Sequence, residues 1–262
     1  MKTTKTADYG VFAPVRLARH QFNGVNTSVF DVIVTDEQET DQLIHTVSDN
    51  YRLVTNEQAN EVASLTMAET GYTWDMNFEC WDGKRWVAFY RSKEALIELP
   101  TVGDAVNLGL RLENSYDGTR AFSMSIMMSI LTCTNGMVSD KRLGSFRIPH
   151  KNGDWEISTA ASEIMLGAQN VMALAPALTA LTTAKISKDT FVELGAEPAF
   201  GVGFLGGLLK KTAEEKPKTM WDLCQMGTAQ MTDALRNNGT LGTIGQLERW
   251  TDHFLEKGLL AS

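Results

Sequence analysis

The alternation of apolar and polar positions predicts a β-hairpin in the middle of the chain. From Arg120 to Thr134 small polar residues alternate with apolar ones over much of the length, which is typical of a strand with one buried face. Val106 to Glu113 is a second candidate strand. Asp117-Gly118 lies between the two, and such a pair is a strong hairpin signal because glycine adopts a positive φ at little cost.

Weaker patterns predict more strands on the N-terminal side. Tyr72 to Trp81 and Arg85 to Tyr90 flank Asp82-Gly83-Lys84 as another hairpin. Two short strands are expected between Arg16 and Val34, around Asn23-Gly24. A further short strand is predicted over Tyr51–Val54, whereas Leu43, Ile44 and Val47 have helical spacing within the charged segment Glu37–Val47.

Helix signals occupy the rest of the chain. Thr55 or Asn56 can cap a helix from about Glu57 to Thr70. A long helix is predicted from about Ser158 to Ile186, with a kink near Leu174 because Pro176 lies inside it. Two closing helices are expected over Met220–Leu235 and Thr243–Glu256, whereas the interval from Thr134 to Asp154 is predicted to be a polar loop.

Together these elements predict an α+β fold, with an antiparallel sheet of two β-hairpins backed by a long helix. Extra N-terminal strands and a C-terminal helical pair complete it. The predicted organisation is an α+β core domain over residues 1–200, a flexible Gly/Lys-rich segment over 201–218 and a C-terminal helical segment over 219–262.

Composition narrows the class of protein. The 262 residues are 43% hydrophobic and 21% charged, so the chain can bury a sizeable core. The sequence contains no run of eighteen or more uncharged apolar residues, so no membrane span is predicted. The first residues lack the apolar stretch of a secretory signal. Cys80, Cys133 and Cys224 lie far apart. A reduced, cytoplasmic protein without metal or cofactor is therefore expected.

No catalytic constellation stands out. None of the four histidines has metal-ligand spacing to another histidine or cysteine. The run Gly201–Gly206 matches a Gly-x-Gly-x-x-Gly pattern but follows no convincing strand, and Cys133 with His150 is better explained by a buried thiol. Asp75, Glu79 and Asp82 could in principle hold magnesium, although their spacing alone is no evidence. The sequence predicts that the protein is not an enzyme.

Cationic and aromatic residues interleave in two regions, as a single-strand binder requires. The net charge is −8, but phosphate binding depends on the local field. Tryptophans beside a hairpin turn also pack across strands, and lysines on turns are usually only solvated. A third cluster, Lys210 to Lys218, is diluted by Glu214 and Glu215. The candidate nucleic-acid-binding residues are Lys84, Arg85, Trp86, Arg91, Lys141, Arg142, Arg147, His150, Lys151 and Trp155.

Three sequence blocks carry a family resemblance. They are Leu112-Glu113-Asn114-Ser115-Tyr116-Asp117-Gly118-Thr119-Arg120, Cys133-Thr134-Asn135-Gly136-Met137 and Ile148-Pro149-His150-Lys151. In this order they resemble the domain-of-unknown-function family numbered nine-three-two, also called phage/plasmid-like proteins, over roughly Tyr51 to Thr183. Asn114, Ser115, Asp117 and Gly118 are explained locally, as a turn whose side chains bond its own backbone. The family offers no catalytic residues to carry over.

The element order also resembles the core of single-strand annealing proteins of the eukaryotic recombination-mediator type and of their phage counterparts. That resemblance implies a phage- or plasmid-type protein that binds single-stranded DNA and promotes annealing in homologous recombination. It implies a homo-oligomer, as a ring or a filament, and a phage or host recombination protein as a candidate partner. The alternative is an acidic interaction protein or DNA mimic that binds a host defence or replication protein, which the run Glu37-Gln38-Glu39-Thr40-Asp41 favours.

Overall fold

The computed structural model describes residues 9–130, 136–138, 143–148, 157–238 and 241–262. These residues form two antiparallel sheets and seven helices. The strands are β1 Val15–Phe22, β2 Val25–Thr35, β3 Asp41–Val47, β4 Trp74–Trp81, β5 Arg85–Leu99, β6 Asp104–Ser115, β7 Phe122–Ile130, β8 Gly136–Val138 and β9 Ser145–Ile148. The helices are α1 Asn56–Glu69, α2 Ile157–Ala173, α3 Ala175–Thr183, α4 Lys188–Ala196, α5 Val202–Glu215, α6 Met220–Asn238 and α7 Leu241–Ala261. The predicted α+β class is confirmed.

The first sheet has the strand order β1-β2-β3. Its β1–β2 hairpin turns at Asn23-Gly24 as predicted, with φ angles of 51° and 76°. The prediction of helical spacing before Val47 is wrong, because this segment forms β3. The pairing of β3 with β2 shifts by one residue around Ile44, so a bulge turns both Ile44 and Val47 inward although they lie three residues apart. The bulge therefore gives the buried residues of this strand the spacing that is typical of a helix.

The segment between the first sheet and α1 packs without pairing. Tyr51–Val54, predicted as a strand, has no strand partner, and Tyr51 and Leu53 instead lie against the core of the first sheet. The cap of α1 is confirmed. Thr55 Oγ1 accepts from the Gln58 backbone N–H at 3.1 Å, and the Gln58 side chain accepts from the Thr55 backbone N–H at 3.0 Å.

The second sheet has the order β4-β5-β6-β7, with both β8 and β9 on the outer edge of β7. Its two hairpins are confirmed, and Gly83 and Gly118 in their turns have φ angles of 90° and 70°. The prediction of a polar loop from Thr134 to Asp154 is wrong where the structure describes it. The strands β8 and β9 have three and four residues, which is too short for an alternating pattern to be recognised in the sequence. They form by pairing with the free edge of β7.

The predicted break in the long helix is confirmed. Helix α2 ends at Ala173, and α3 begins at Ala175 with Pro176 in its first turn. Helix α2 backs the sheet closely, because a Cβ at Gly167 would lie 2.5 Å from Ile126 Cγ1 of β7. The continuous segment Thr159–Thr183 is long and apolar enough to cross a membrane by length and composition alone. Core helices pass the same test, and 44% of the most apolar 18-residue window in this segment is buried, so this is weak evidence for a span.

The last three helices close the molecule. The structure places helix α5 where the sequence predicts a flexible segment, with Leu208 buried and Gly207 against Gln230 of α6. Gly201 caps α5 and follows a turn rather than a strand, so the Gly-x-Gly-x-x-Gly run is not a dinucleotide motif. The two predicted closing helices are confirmed as α6 and α7. One core runs from Val54 to Leu255, and it includes residues of the second sheet and of these helices.

Candidate functional site

The two faces of the second sheet differ in chemistry. Directly paired residues on neighbouring strands lie on the same face. On one face, Tyr90, Leu110 and Ile126 form a row that packs under α1 and α2. The opposite face, which we call the polar face, contains Arg111 beside Ser125 and Glu113 beside Ser123. Helices α6 and α7 cover part of it.

Arg111 lies at the centre of the polar face and is 3% exposed. Its Nε lies 3.1 Å from Glu113 Oε1, which is equally buried. Its Nη1 donates to Glu248 Oε1 of α7 at 3.0 Å, and its Nη2 donates to Ser125 Oγ at 3.3 Å. One guanidinium therefore joins two strands to the last helix. A buried charge is tolerated only when it is paired in this way.

More arginines surround this buried group toward the β6–β7 turn. Arg120 Nη1 lies 3.9 Å from Glu113 Oε2, and its side chain is 38% exposed. Arg147 of β9 pairs with Ser123, so it lies on the polar face in the same row as Glu113, and it is exposed. Arg85 occupies the same face at the start of β5, opposite Ser115. We call Arg85, Arg111, Arg120 and Arg147 the arginine cluster.

Arg85 also locks the two hairpins together. Its Nε donates to Asp117 Oδ2 at 2.9 Å, which joins the start of β5 to the turn between β6 and β7. Burial opposes ionisation of Asp117, but hydrogen bonds from Thr119 and Arg85 outweigh it and hold the pKa of that carboxyl below its ordinary value. Asp117 also accepts from the Thr119 backbone N–H at 3.0 Å, as the local turn predicts.

Asp117→Asn is therefore expected to lower the free energy of unfolding by about 1 kcal/mol at neutral pH. Because the folded-state pKa of Asp117 is lowered, the stabilisation by its charge is fully present above the ordinary value of 3.8 and is lost as the pH falls through the folded-state pKa. Urea unfolding of the wild-type and Asp117→Asn proteins across acidic pH should show the difference between their free energies of unfolding shrinking as the pH falls. Asp75→Asn, at an exposed ion pair with Lys93, is the matched control, and a constant difference down to the lowest pH would contradict the assignment.

The structure separates the residues of the first predicted cluster. Lys84 is exposed in the turn beside Arg85. Arg91 lies on the polar face too, but six residues along β5 from Arg85, about 20 Å away, so it is not brought to the arginine cluster. Trp86 is fully buried, and its Nε1 donates to Glu79 Oε2 at 3.0 Å. A buried ring cannot stack on an unpaired base, so Trp86 belongs to the core rather than to a binding surface.

Most of the second predicted cluster lies outside the described residues. Of its members the structure places only Arg147. Those outside are Lys141, Arg142, His150, Lys151 and Trp155, and Cys133 lies outside as well.

The three carboxylates weighed as magnesium ligands have separate partners. Asp75 pairs with Lys93 at 3.4 Å, and Glu79 accepts from Trp86. Asp82 Oδ1 accepts from the backbone N–H groups of Lys84 and Arg85. Within the described ranges no three histidine, cysteine or acidic side chains are grouped to hold a metal ion.

Sequence reasoning missed Arg111, Arg120 and Glu248. Arg111 and Glu113 alternate with leucines on β6, and charges at the inward positions of a strand are a usable signal of a buried ion pair. Nothing in the sequence connects Glu248 to them, since it lies 137 residues away from Arg111.

Asn114 corrects the local explanation of its motif. Its Nδ2 donates to the Val54 carbonyl and to Asn56 Oδ1, both at 2.9 Å, so it holds the start of α1 rather than its own turn. Ser115 does act locally, because its Oγ accepts from the Arg120 backbone N–H and donates to the Arg120 carbonyl, both at 3.0 Å. The motif therefore connects the β6–β7 turn to the start of α1, and Arg120 lies at the end of this turn.

Comparison with known proteins identifies one related group. The family model described as Domain of unknown function (DUF932) matches residues 43–200, which is more than half of the 262 residues. All four arginines of the arginine cluster lie in that range, whereas Glu248 lies outside it. No curated protein and no solved structure matches the chain.

Proposed function

We propose that this chain, which belongs to the DUF932 family as its Leu112–Arg120 motif predicts, is a phage- or plasmid-type protein that binds single-stranded DNA. In this proposal it promotes strand annealing in homologous recombination and acts as an oligomer. The observation that carries the proposal is the arginine cluster. Arg85, Arg120 and Arg147 come from three different parts of the chain, yet they project from one end of one sheet face.

The chemistry of the arginine cluster suits a phosphate backbone. Guanidinium groups bind phosphate oxygens through two parallel hydrogen bonds, and they are less strongly hydrated than lysine ammonium groups. Arg85 and Arg120 each keep more than a third of the side chain exposed, so donors remain available to a ligand. Behind them, the contacts of Arg111 with Glu113 and Glu248 connect the strand β6 below this surface to helix α7.

The arrangement also fits the physical needs of annealing. Neutralised phosphates allow two strands to approach, while the bases must stay free to pair with the second strand. Because the ring of Trp86 is buried, the proposed surface holds the backbone through arginines and does not sequester bases by stacking on that ring. An oligomer would multiply such weak sites into tight binding.

Binding of a fluorescent single-stranded oligonucleotide across a salt series, with light scattering to size the complex, tests the proposal. Wild-type protein is expected to bind tightly at low salt and to weaken as salt rises. The double variant Arg120→Ala and Arg147→Ala is expected to bind more weakly, and the slope of log affinity against log salt should fall by about 1 for each lost phosphate contact.

The matched control removes two cations from another surface. Lys210→Ala with Lys211→Ala changes the net charge equally on α5, and it should leave the affinity close to wild type. The proposal fails if the folded wild-type protein does not retain the oligonucleotide at low salt, or if both double variants weaken binding equally.

The alternative function is an acidic interaction protein or DNA mimic. The acidic residues between Asp36 and Asp41 favour it. A mimic is expected to ignore the oligonucleotide at every salt concentration and to retain a basic protein instead. The same binding assay therefore separates the two functions.

A further inference from the structure

The first sheet has two open edges. Among the described residues, β1 and β3 each pair only with β2, so the outer backbone groups of both strands have no strand beside them. These edges are seven and eight residues long. A long unpaired edge is a template for another strand, and natural proteins usually cover such edges.

The two edges carry opposite charge. Strand β1 contains Arg16 and Arg19, both exposed, and no acidic residue. Strand β3 begins with Asp41, the turn that leads into it contains Asp36, Glu37 and Glu39, and no lysine or arginine occurs between Val34 and Arg52. Pairing β1 with β1, or β3 with β3, would bring like charges together, whereas pairing β1 with β3 brings opposite charges together.

From these edges we propose that β1 of one copy of this chain pairs with β3 of the next, so that the first sheet continues from copy to copy. Because β1 and β3 are both antiparallel to β2, they run in the same direction, so in this arrangement neighbouring copies have the same orientation and the new pair is parallel. Arg16 is level with Leu43 across the sheet, so the next copy's Arg16 arrives beside the acidic start of β3.

The apolar surface of the sheet fits the same occupant. Leu43 on β3 is 62% exposed, and Phe22 and Val25 at the tip of the β1–β2 hairpin are each 68% exposed. A neighbouring copy would remove part of this surface from water. Arg16 contacts Asp41 of its own copy, but both side chains are about half exposed, so this pair exchanges for an intermolecular one at little cost.

The symmetry of the contact determines the assembly. A contact between two different edges is heterologous, and repeating it gives a closed ring or an open filament. This contact deepens the proposed function by naming the surface through which copies assemble. The role of the assembly in annealing rests on the proposed function, whereas the contact itself does not. Its test uses no DNA, so the two can fail separately.

Charge reversal on each edge provides the test. The first variant carries Arg16→Glu and Arg19→Glu. The second carries Glu37→Lys, Glu39→Lys and Asp41→Lys, so that only Asp36 remains acidic and the sign of this edge is reversed. Each variant alone has two edges of the same sign, so light scattering at low salt should show loss of the wild-type assembly to single chains. An equal mixture restores both attractive contacts and should recover the large species, as should one chain that carries all five substitutions.

Two controls match the change in net charge away from the first sheet. Lys210→Glu with Lys211→Glu on α5 matches the first variant, and Glu214→Lys and Glu215→Lys on α5 together with Glu163→Lys on α2 match the second. Both are expected to keep the wild-type size. Circular dichroism checks folding. Arg16→Glu and Glu39→Lys as single substitutions, which weaken the attraction between the edges, replace any edge variant that does not fold.

The inference is overturned by a wild-type protein that is a single chain at low salt, by edge variants that keep the wild-type size, or by a mixture that stays dissociated. Assembly with the expected pattern but without retention of an oligonucleotide would support the interface and overturn the DNA-binding proposal.

Discussion

Arg111→Ala is expected to lower the free energy of unfolding by about 3–5 kcal/mol, because it removes the nearest cation from the buried carboxylate of Glu113 and leaves only the longer contact with Arg120. Glu113 is only 3% exposed and lies 3.1 Å from the Arg111 guanidinium. Glu248 also loses its contact, but at 29% exposure it can regain water. The cost thus comes chiefly from the charge of Glu113, which the distant Arg120 compensates only in part.

Urea unfolding measures this loss, and a second variant separates charge from shape. Arg111→Met combined with Glu113→Leu removes both charges and keeps most of the volume. That pair is expected to be near wild type or more stable by up to about 4 kcal/mol. Lys93→Ala breaks an exposed ion pair with Asp75 and should cost less than about 1 kcal/mol. A loss that small for Arg111→Ala would show that water reaches Glu113.

The hairpins, α1 and the break at Leu174 could be predicted because each depends on a local signal. Asp-Gly and Asn-Gly turns, the Thr55–Gln58 cap and Pro176 act within a few residues of themselves. The strand β3 could not be predicted, because its bulge gives Ile44 and Val47 a helical spacing. Strands β8 and β9 exist only through pairing with β7, which is a tertiary effect.

The candidate site shows the same division. Arg85 was predicted because cations and aromatic residues interleave around it, and Arg147 because an exposed cation in a loop has no local structural role. Trp86 was also predicted, but the sequence does not tell that both tryptophans beside the turn pack against the core, Trp86 completely and Trp81 in part. Arg111 and Glu248 meet only because α7 returns to the sheet. Residues that are joined by chain topology leave no local pattern.

Helix α5 was missed for a different reason. Its three glycines and the lysines that follow are typical of a loop, since glycine costs about 1 kcal/mol relative to alanine inside a helix. Here Leu208 is buried and Gly207 packs against Gln230, so contact with α6 supports a helix that the local preference disfavours.

Trp250→Ala is expected to destabilise the protein by about 3–5 kcal/mol, because it empties the centre of the contact between α6 and α7. Trp250 is fully buried and packs against Phe200, Phe204 and Phe254, with ring centroids 4.7–5.3 Å away. Its Nε1 also donates to the Cys224 carbonyl at 2.9 Å. Thermal and urea unfolding, followed by tryptophan-independent circular dichroism, measure the loss.

A second substitution tests whether this packing is as close as the structure shows. A Cβ at Gly227 would overlap the Trp250 ring, so the overlap in Gly227→Ala should lower the free energy of unfolding of the wild-type protein by about 1–3 kcal/mol. This loss exceeds the gain of about 1 kcal/mol that alanine brings in helix preference. In the Trp250→Ala protein the ring is gone, and the same change should become stabilising. Gly206→Ala on α5, where a Cβ meets open space, should stabilise by about 0.5–1 kcal/mol. Additive effects of Gly227→Ala and Trp250→Ala would place the two helices further apart than this geometry requires.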